Sequence, residues 1–486
     1  MEVIQVKKSE LNKNDGLYKE ETRLIVLLCT VGLLFLSLVG YLTYIEIFAK
    51  DKYVNNAFNQ RQWKKEEDTL RGEIVDREGV VLAKSVMSDD GKSQIREYPY
   101  KELYTHVIGY TSKIYGKSQI ELNYNKQLAG LTDVGALSGI TEQISGTKTG
   151  DTVTLTISNR LQRVAANAMR GRHGAVVAIQ PQTGEVLCML SNPSFSPDSA
   201  SLQEKWSSLT DDENSPFVSR ATNGLYAPGS IFKTILLSAA LENGYEDLIF
   251  DDTGEFVVGN KTFRNSGNKA YGNIDLKKAY AVSSNVAFMQ LGEQLGEPLV
   301  KEYMKKFGIG TKIPFDISVS NSRFDYNEKM WKGDYAQLCI GQGKLLVTPM
   351  QMALMTSAVA NNGVMQKPYL VSKVTNSLGI TVESTRPQIM ERVLLASTAS
   401  KVADYMQNVV DAGTGYNAKI SGVEVAGKTG TAENEIENRE HTWFVGFAPK
   451  DNPTIAVAVV CEYSGNTGGS DGAPVAAALF KEWLVD

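Results

Sequence analysis

The 486-residue chain holds one set of residues able to do covalent chemistry, and none of them is a histidine. Ser230-Ile-Phe-Lys233 follows Tyr226-Ala-Pro-Gly229. Pro-Gly ends an extended loop, and Ser230 then opens the apolar helix pattern SIFKTILLSAALENG. A helix start sets a hydroxyl beside unpaired backbone N–H groups at the positive end of the dipole. Lys233 lies one turn on, on the same face. A lysine desolvated among other cations can lose its proton near neutral pH and act as a base. Ser230 and Lys233 thus read as nucleophile and base. Ser283-Ser-Asn285 comes 53 residues after Ser230, between the helical stretches LKKAYAV and VAFMQLGEQLG. Its hydroxyl and amide can relay a proton and hold a substrate amide. Lys428-Thr-Gly430-Thr431 comes 145 residues after Ser283 and closes the alternating strand GVEVAG. It offers a cation, hydroxyls and a backbone edge left bare at Gly430, against which a peptide could lie as an added strand. The N–H groups of Ser230 and Thr431 then suit an oxyanion hole.

Each motif alone has an ordinary structural explanation: an N-cap serine with a solvated lysine, a helix cap, a strand-ending turn. Ser-x-x-Lys also occurs at Ser145–Lys148 and Ser266–Lys269, and Lys-Thr-Gly at Lys148–Gly150. Ser145-Gly-Thr-Lys148-Thr-Gly150 overlaps two patterns in one turn, so its groups cannot converge as separate elements. Ser266–Lys269 lies in a Gly/Asn-rich loop with no helix after it. Order and context favour the Ser230 set. Glu433 reads as a solvated loop residue, and His106, His173 and His441 as structural. Cys29, Cys188, Cys339 and Cys461 are far apart, without a CxxC pair, which argues against a zinc cluster or a disulfide scaffold.

The elements around these motifs follow from composition and pattern. Leu24–Ile45 is a run of 22 residues without a charge, enough to span a bilayer as a helix. It is too long for a signal-peptide core, and no small-x-small cleavage site follows. Five Lys/Arg precede it and six fall within 49–72, so charge does not fix its orientation. Residues 1–23 read as a disordered polar tail and 49–70 as a helical stalk. From Arg71 the texture turns to strands, with a turn at Asp76–Gly79. GAVVAI and EVLCML, joined by QPQTG, read as a β-hairpin. The region 230–410 reads as mostly helical, and the end returns to strands and a final helix, APVAAALFKEWL. Strands at both ends of a helical middle predict an α+β domain with one sheet built from both ends. A net charge of −5 argues against nucleic-acid binding.

The chain resembles the class B penicillin-binding proteins, membrane-anchored peptidoglycan D,D-transpeptidases. The resemblance rests on the ordered set Ser230–Lys233, Ser283–Asn285 and Lys428–Gly430. It extends through Arg71-Gly-Glu-Ile-Val-Asp76-Arg-Glu-Gly79, Gly116–Tyr124, Gly174–Ile179 with Thr183-Gly184-Glu185, Arg220–Gly229, and Ile340–Gly343 with Val347-Thr-Pro349. One departure is Gln119, where many relatives carry glycine.

The resemblance implies a transpeptidase domain over 151–486, with an antiparallel five-stranded sheet flanked by helices. It also implies a pedestal domain over 49–150, a transmembrane helix over 24–48 and a cytoplasmic tail over 1–23. Ser230 is then acylated by the D-Ala-D-Ala end of a stem peptide and Lys233 takes its proton. Ser283 passes a proton to the leaving amine, and Asn285 holds the substrate. Lys428, Thr429 and Thr431 bind the terminal carboxylate beside Gly430. β-Lactams acylate the same serine, and no metal or cofactor is required. The expected partner is a SEDS-type membrane glycosyltransferase, and the catalytic domain is placed outside the cell membrane. The rival reading is a β-lactam-hydrolysing or β-lactam-sensing protein.

Overall fold

The computed structural model describes residues 2–49, 63, 66–67, 69–89, 93–131, 148–259, 261–434 and 439–484. Most of the expected stalk at 49–70, and Ser145, lie outside these residues. The chain divides into two compact units, Met1–Lys64 and Lys65–Asp486.

In the first unit, helix α1 (Glu2–Tyr44) runs into a π-helical turn at Ile45–Ala49. Glu21–Ala49 is long and apolar enough to cross a membrane. Three of its hydroxyls are satisfied within the helix: Thr30, Ser37 and Thr43 donate to the carbonyls of Val26, Leu34 and Val39 at 2.7–2.8 Å. The helix begins at Glu2, which corrects the expected disordered tail. Residues 2–23 contain Glu, Lys and Leu and no proline, and they prolong a helix that the apolar stretch nucleates.

The second unit contains a six-stranded sheet, in the order Thr381–Ser384, Val371–Thr375, Thr152–Leu155, Ile74–Val75, Val81–Met87, Gln94–Glu97. Only the Ile74–Val75 pairing with Val153–Thr154 is parallel. The expected turn after Val75 is present. Asp76 Oδ1 accepts from the N–H groups of Glu78 and Val80, and Gly79 has φ +88°. Beside the sheet, Glu121 is fully buried between two arginines: it accepts from Arg71 Nε at 2.6 Å and Arg96 Nε at 2.8 Å. Burial alone raises its pKa; the two guanidinium groups outweigh burial and hold it below the usual carboxylate range. Gln119 has φ +50°, in the left-handed region where glycine is at ease, so the departure noted in the sequence is a strained backbone position.

A second sheet has the expected five antiparallel strands: β1 (Gly174–Ile179), β2 (Val186–Asn192), β3 (Ala426–Ala432), β4 (His441–Ala448) and β5 (Ile455–Cys461), in the order β3-β4-β5-β1-β2. The hairpin β1–β2 matches the sequence reading. Alternate residues feed two cores. Val177, Ala458 and Val445 point to one core, and Val176, Val459 and Phe444 to the other. Strands covered on both faces take apolar residues at successive positions, hence the unbroken runs of β1 and β5, whereas β3 carries Lys428 and Thr429. The remaining helices used below are α2 (Lys233–Glu242), α3 (Leu276–Ala281), α4 (Asn285–Lys306), α5 (Pro349–Ala360), α6 (Ala396–Ala412) and α7 (Gly472–Leu484). Helix α5 covers one face and α7 the other. Between 230 and 410 the mostly helical expectation is incomplete, because eight short strands interrupt the helices. Several form two-stranded ribbons whose short runs, such as Ile249–Asp252, alternate between exposed and buried side chains.

Candidate active site

Lys428-Thr-Gly430 does not close a strand; it forms the middle of β3, which starts only at Ala426. GVEV at 422–425 stays outside, and its Val423 pairs locally with Ile420. β3 is an edge strand, paired with β4 on one side only. The turn carrying Ser230 abuts this strand. Gly229 has φ +55°, and a Cβ there would sit 2.4 Å from the Thr431 carbonyl oxygen. Gly229 N–H donates to the Gly341 carbonyl at 2.9 Å, and Tyr226 and Val347 exchange backbone hydrogen bonds. The segments Ile340–Gly343 and Val347–Pro349 thus hold the approach to Ser230. Thr348 also caps α5, with Pro349 in its first turn. Further back, Glu462 accepts from Tyr226 Oη at 2.6 Å and Arg220 Nε at 2.9 Å.

Ser230 lies in a 3₁₀ turn (Gly229–Phe232) that leads into α2 at Lys233. Lys233 is fully buried, and its Nζ donates to the Ser283 carbonyl at 2.8 Å and Asn285 Oδ1 at 2.8 Å; Ser283 Oγ is 3.4 Å away. Lys428 is equally buried, and its Nζ donates to the same Ser283 hydroxyl at 2.8 Å and to the Thr429 carbonyl at 2.9 Å. Ser283 sits at the α3–α4 junction with φ +60°, a conformation that α3 and Lys233 hold in place through its N–H and carbonyl. The helix-capping alternative is true of the middle residue only: Ser284 Oγ accepts from Ala287 N–H at the start of α4.

Two ammonium groups hydrogen-bonded to one hydroxyl lie within about 6 Å of each other, where like charges at an effective dielectric of ~20 repel by about 3 kcal/mol, or ~2 pKa units. Burial first, and Lys428 second, push the Lys233 pKa well below the ordinary lysine range; the negative charge of Asp252 opposes them. Burial brings Lys428 down to about 7. Both shifts favour the neutral amine, so Lys233, beside the turn that carries Ser230, gives up its proton more readily than an ordinary lysine.

A cleft of about 790 Å³ opens above the lysines. Ser230, Ser283, Asn285, Thr429, Gly430 and Thr431 line it, so six of the eight residues singled out in the sequence face one space and the other two, Lys233 and Lys428, lie buried beneath. Ser266 reaches the rim, but Lys269 offers only its carbonyl, to Asn265. Glu433 and Glu440 also line the rim. His106 and His441 are buried in aromatic surroundings, and burial raises the thiol pKa values of Cys188, Cys339 and Cys461. Among the described residues no His/Cys/Asp/Glu group could hold a metal ion. Sequence reasoning missed Asp252, Asn265 and Glu462, which contact the motif residues from distant segments. Asp252 carries only a turn signal, Asp-Thr-Gly, and Asn265 and Glu462 stand outside any recognisable pattern.

Residues 174–482 match the family model for the penicillin binding protein transpeptidase domain, and residues 71–153 match the penicillin binding protein A dimerisation domain. The chain is 30% identical to peptidoglycan D,D-transpeptidase PbpA of Mycolicibacterium smegmatis, over 93% of this chain and 97% of that protein. It is 31% identical to peptidoglycan D,D-transpeptidase MrdA of Acinetobacter baumannii, over 80% of this chain and 66% of that protein. The ceftriaxone acyl-enzyme complex of penicillin-binding protein A from M. tuberculosis superposes with a TM-score of 0.82 at 28% identity, over 86% of this chain and 99% of that one. A D,D-transpeptidase domain from Eggerthella lenta gives 0.78 at 35% identity, over 86% and 99%.

Proposed function

The chain belongs to the class B penicillin-binding proteins, the peptidoglycan D,D-transpeptidases, and from that premise we propose that Ser230 is the acylated nucleophile and Lys233 its base. The Ser230 hydroxyl attacks the carbonyl of the penultimate D-Ala of a stem peptide, and Lys233 takes its proton. The oxyanion rests against the N–H groups of Ser230 and Thr431. Ser283 hands a proton to the departing D-Ala amine, and Lys428, as an ammonium, restores it. Lys428, Thr429 and Thr431 hold the terminal carboxylate, Asn285 the peptide amide, and the donor strand lies along the edge of β3 at Gly430. An amine from a second stem then attacks the acyl-enzyme; its proton passes through Ser283 back to Lys428, Lys233 returns its proton to the Ser230 oxygen, and the cross-link forms as Ser230 is freed. A β-lactam follows the first half only, because its amine stays tethered after ring opening.

The carrying observation is the Ser283 hydroxyl held between two buried lysines. The test is intact mass with and without penicillin, followed by peptide mapping. A stable adduct on Ser230, absent from Ser230→Ala, is expected. Rapid penicillin turnover without an adduct would favour the hydrolase reading instead.

We also propose that Glu21–Ala49 anchors the protein as a single-pass helix, with the short N-terminus cytoplasmic and the catalytic unit outside, where stem peptides are. In this arrangement residues 49–150 form the pedestal and 151–486 the transpeptidase domain. A SEDS-type glycosyltransferase, which makes the glycan to be cross-linked, is the proposed partner of anchor and pedestal. Protease accessibility of intact cells checks the topology: protection of the catalytic unit would overturn it.

A further inference from the structure

Behind the Ser283–Asn285 segment lies a buried carboxylate that the mechanism above does not use. Asp252, at the end of the strand Ile249–Asp252, is fully buried. Both its oxygens accept from Asn265 Nδ2, at 2.7 and 2.9 Å; Oδ2 also accepts from Ser284 Oγ at 2.6 Å, and Oδ1 from Gly254 N–H at 2.9 Å. Asn265 is buried too, and its Oδ1 accepts from the backbone N–H groups of Asn285 at 2.7 Å and Val286 at 3.1 Å. Asn285 Nδ2 donates to the Arg264 carbonyl at 2.9 Å, which turns its Oδ1 to Lys233.

These bonds form one chain of contacts from Asp252 to the base. Asp252 fixes Asn265 and Ser284; they fix the first turn of α4; that turn aims Asn285 and Ser283 at Lys233. A helix start normally satisfies its N–H groups with one capping side chain. Here it draws on two, Ser284 and Asn265, both held by the same carboxylate. A buried carboxylate is costly unless it is well hydrogen-bonded, and Asp252 accepts from Asn265, Ser284 and Gly254 and acts electrostatically on Lys233.

We propose that Asp252 is a positioning residue of the transpeptidase. Through Asn265 and Ser284 it holds the Ser283–Asn285 segment against Lys233, and its negative charge acts on that lysine. This rests on the proposed roles of Ser230 and Lys233. The charged and titratable groups around the Lys233 amine are Lys428 from β3, Asp252 from Ile249–Asp252, and Tyr280, whose hydroxyl pairs with Thr234 next to Lys233. Ser283 and Asn285 bond it without charge, and the Phe288 ring of α4 lies 5.5 Å from its Nζ.

The test is the rate of acylation of the full-length protein in detergent by labelled penicillin, as a function of pH. In Asp252→Asn the opposing negative charge is gone, so the lysine loses its proton more readily. The acid limb should move to lower pH by about one unit, with the rate at the optimum reduced about tenfold or more. Asn265→Leu and Ser284→Ala keep the charge and loosen the segment, so both should slow acylation and leave the limb in place. Asp252→Glu should restore the limb towards the original. A slow Asp252→Asn with an unmoved limb overturns the charge role. Acylation at the original rate in Asn265→Leu and Ser284→Ala overturns the positioning role, and decides it even if Asp252→Asn does not fold. Absence of a Ser230 adduct in the unaltered protein would instead overturn the premise.

Discussion

Lys428 and Ser283, 145 residues apart in the chain, are joined by a 2.8 Å hydrogen bond from Nζ to Oγ in a site where both lysines are fully out of solvent. The two ammonium groups cannot both keep an ordinary pKa. Burial and Lys428 push Lys233 well below the ordinary lysine range, and burial brings Lys428 down to about 7. The second-order rate of penicillin acylation should therefore be bell-shaped in pH, with apparent limbs that belong to the pair. It falls at low pH because Lys233 gains a proton and ceases to be a base. It falls above about 7 because Lys428 loses the charge proposed to attract the carboxylate. Lys428→Arg, which stays charged, should lose the alkaline limb; if that limb persists unchanged, Lys428 is not its source.

Replacing Ser283 with Ala removes the hydroxyl proposed as the proton relay and leaves the Lys428 Nζ its hydrogen bond to the Thr429 carbonyl. Acylation should slow by about 10²-fold or more, within the range of a lost proton-transfer group. The residual adduct should still map to Ser230. A normal acylation rate in this variant would exclude Ser283 from proton transfer.

Gly229 cannot carry a side chain without moving the turn that holds Ser230, since a Cβ would lie 2.4 Å from the Thr431 oxygen and the backbone has φ +55°. Gly229→Ala should push the Ser230 turn away from β3 and reduce acylation about 10²-fold, as expected for an ångström-scale misplacement. Melting temperature and acylation rate are measured together. Unchanged acylation would mean that the spacing between turn and strand is not critical.

Gln119 holds φ +50° at the start of a short helix (Gln119–Asn123). Gln119→Gly should be neutral or stabilising by up to about 1 kcal/mol, while Gln119→Val should destabilise, because a β-branched residue tolerates this region least. Urea midpoints of the two variants decide it, and the opposite ranking would show that the strain is absorbed elsewhere.

Glu121 lies between Arg71 and Arg96 with no solvent exposure. Glu121→Gln removes the carboxylate that both buried guanidinium groups share, leaving Arg71 with Glu66 at 4.0 Å, and should cost about 3–5 kcal/mol. The folded pKa of Glu121 is lowered, so its contribution is present above the usual carboxylate range and is lost as pH falls through the folded value. Denaturation at pH 7 and at acid pH should show the variant and the unaltered protein converging at the acid end.

Much of the site was legible because its motifs are short and ordered. Ser230, Ser283 and Lys428 stand at a turn, a helix junction and a strand, which local patterns announce. The placement of Lys428 within β3 was misjudged because alternation in GVEVAG suggested the strand, whereas small residues such as Gly427 and Gly430 mark its true course where Phe444 and Ile231 press closely. Asp252 and Asn265 were not legible, since their value comes from a helix start they meet only after folding. The pairing of Val371–Thr375 with Thr152–Leu155 was likewise hidden, because nothing local ties segments more than 200 residues apart.

That last pairing bears on how such proteins can be recombined. The six-stranded sheet takes Ile74–Val75, Val81–Met87 and Gln94–Glu97 from the span matching the dimerisation family, and Val371–Thr375 and Thr381–Ser384 from within the span matching the transpeptidase family. Thr152–Leu155 is the strand between them. An N-terminal module grafted from a relative would have to match the register of Val371–Thr375 as well as its own fold. Homologous exchange at a junction near residue 153 would break a shared sheet, so the two modules should be inherited together.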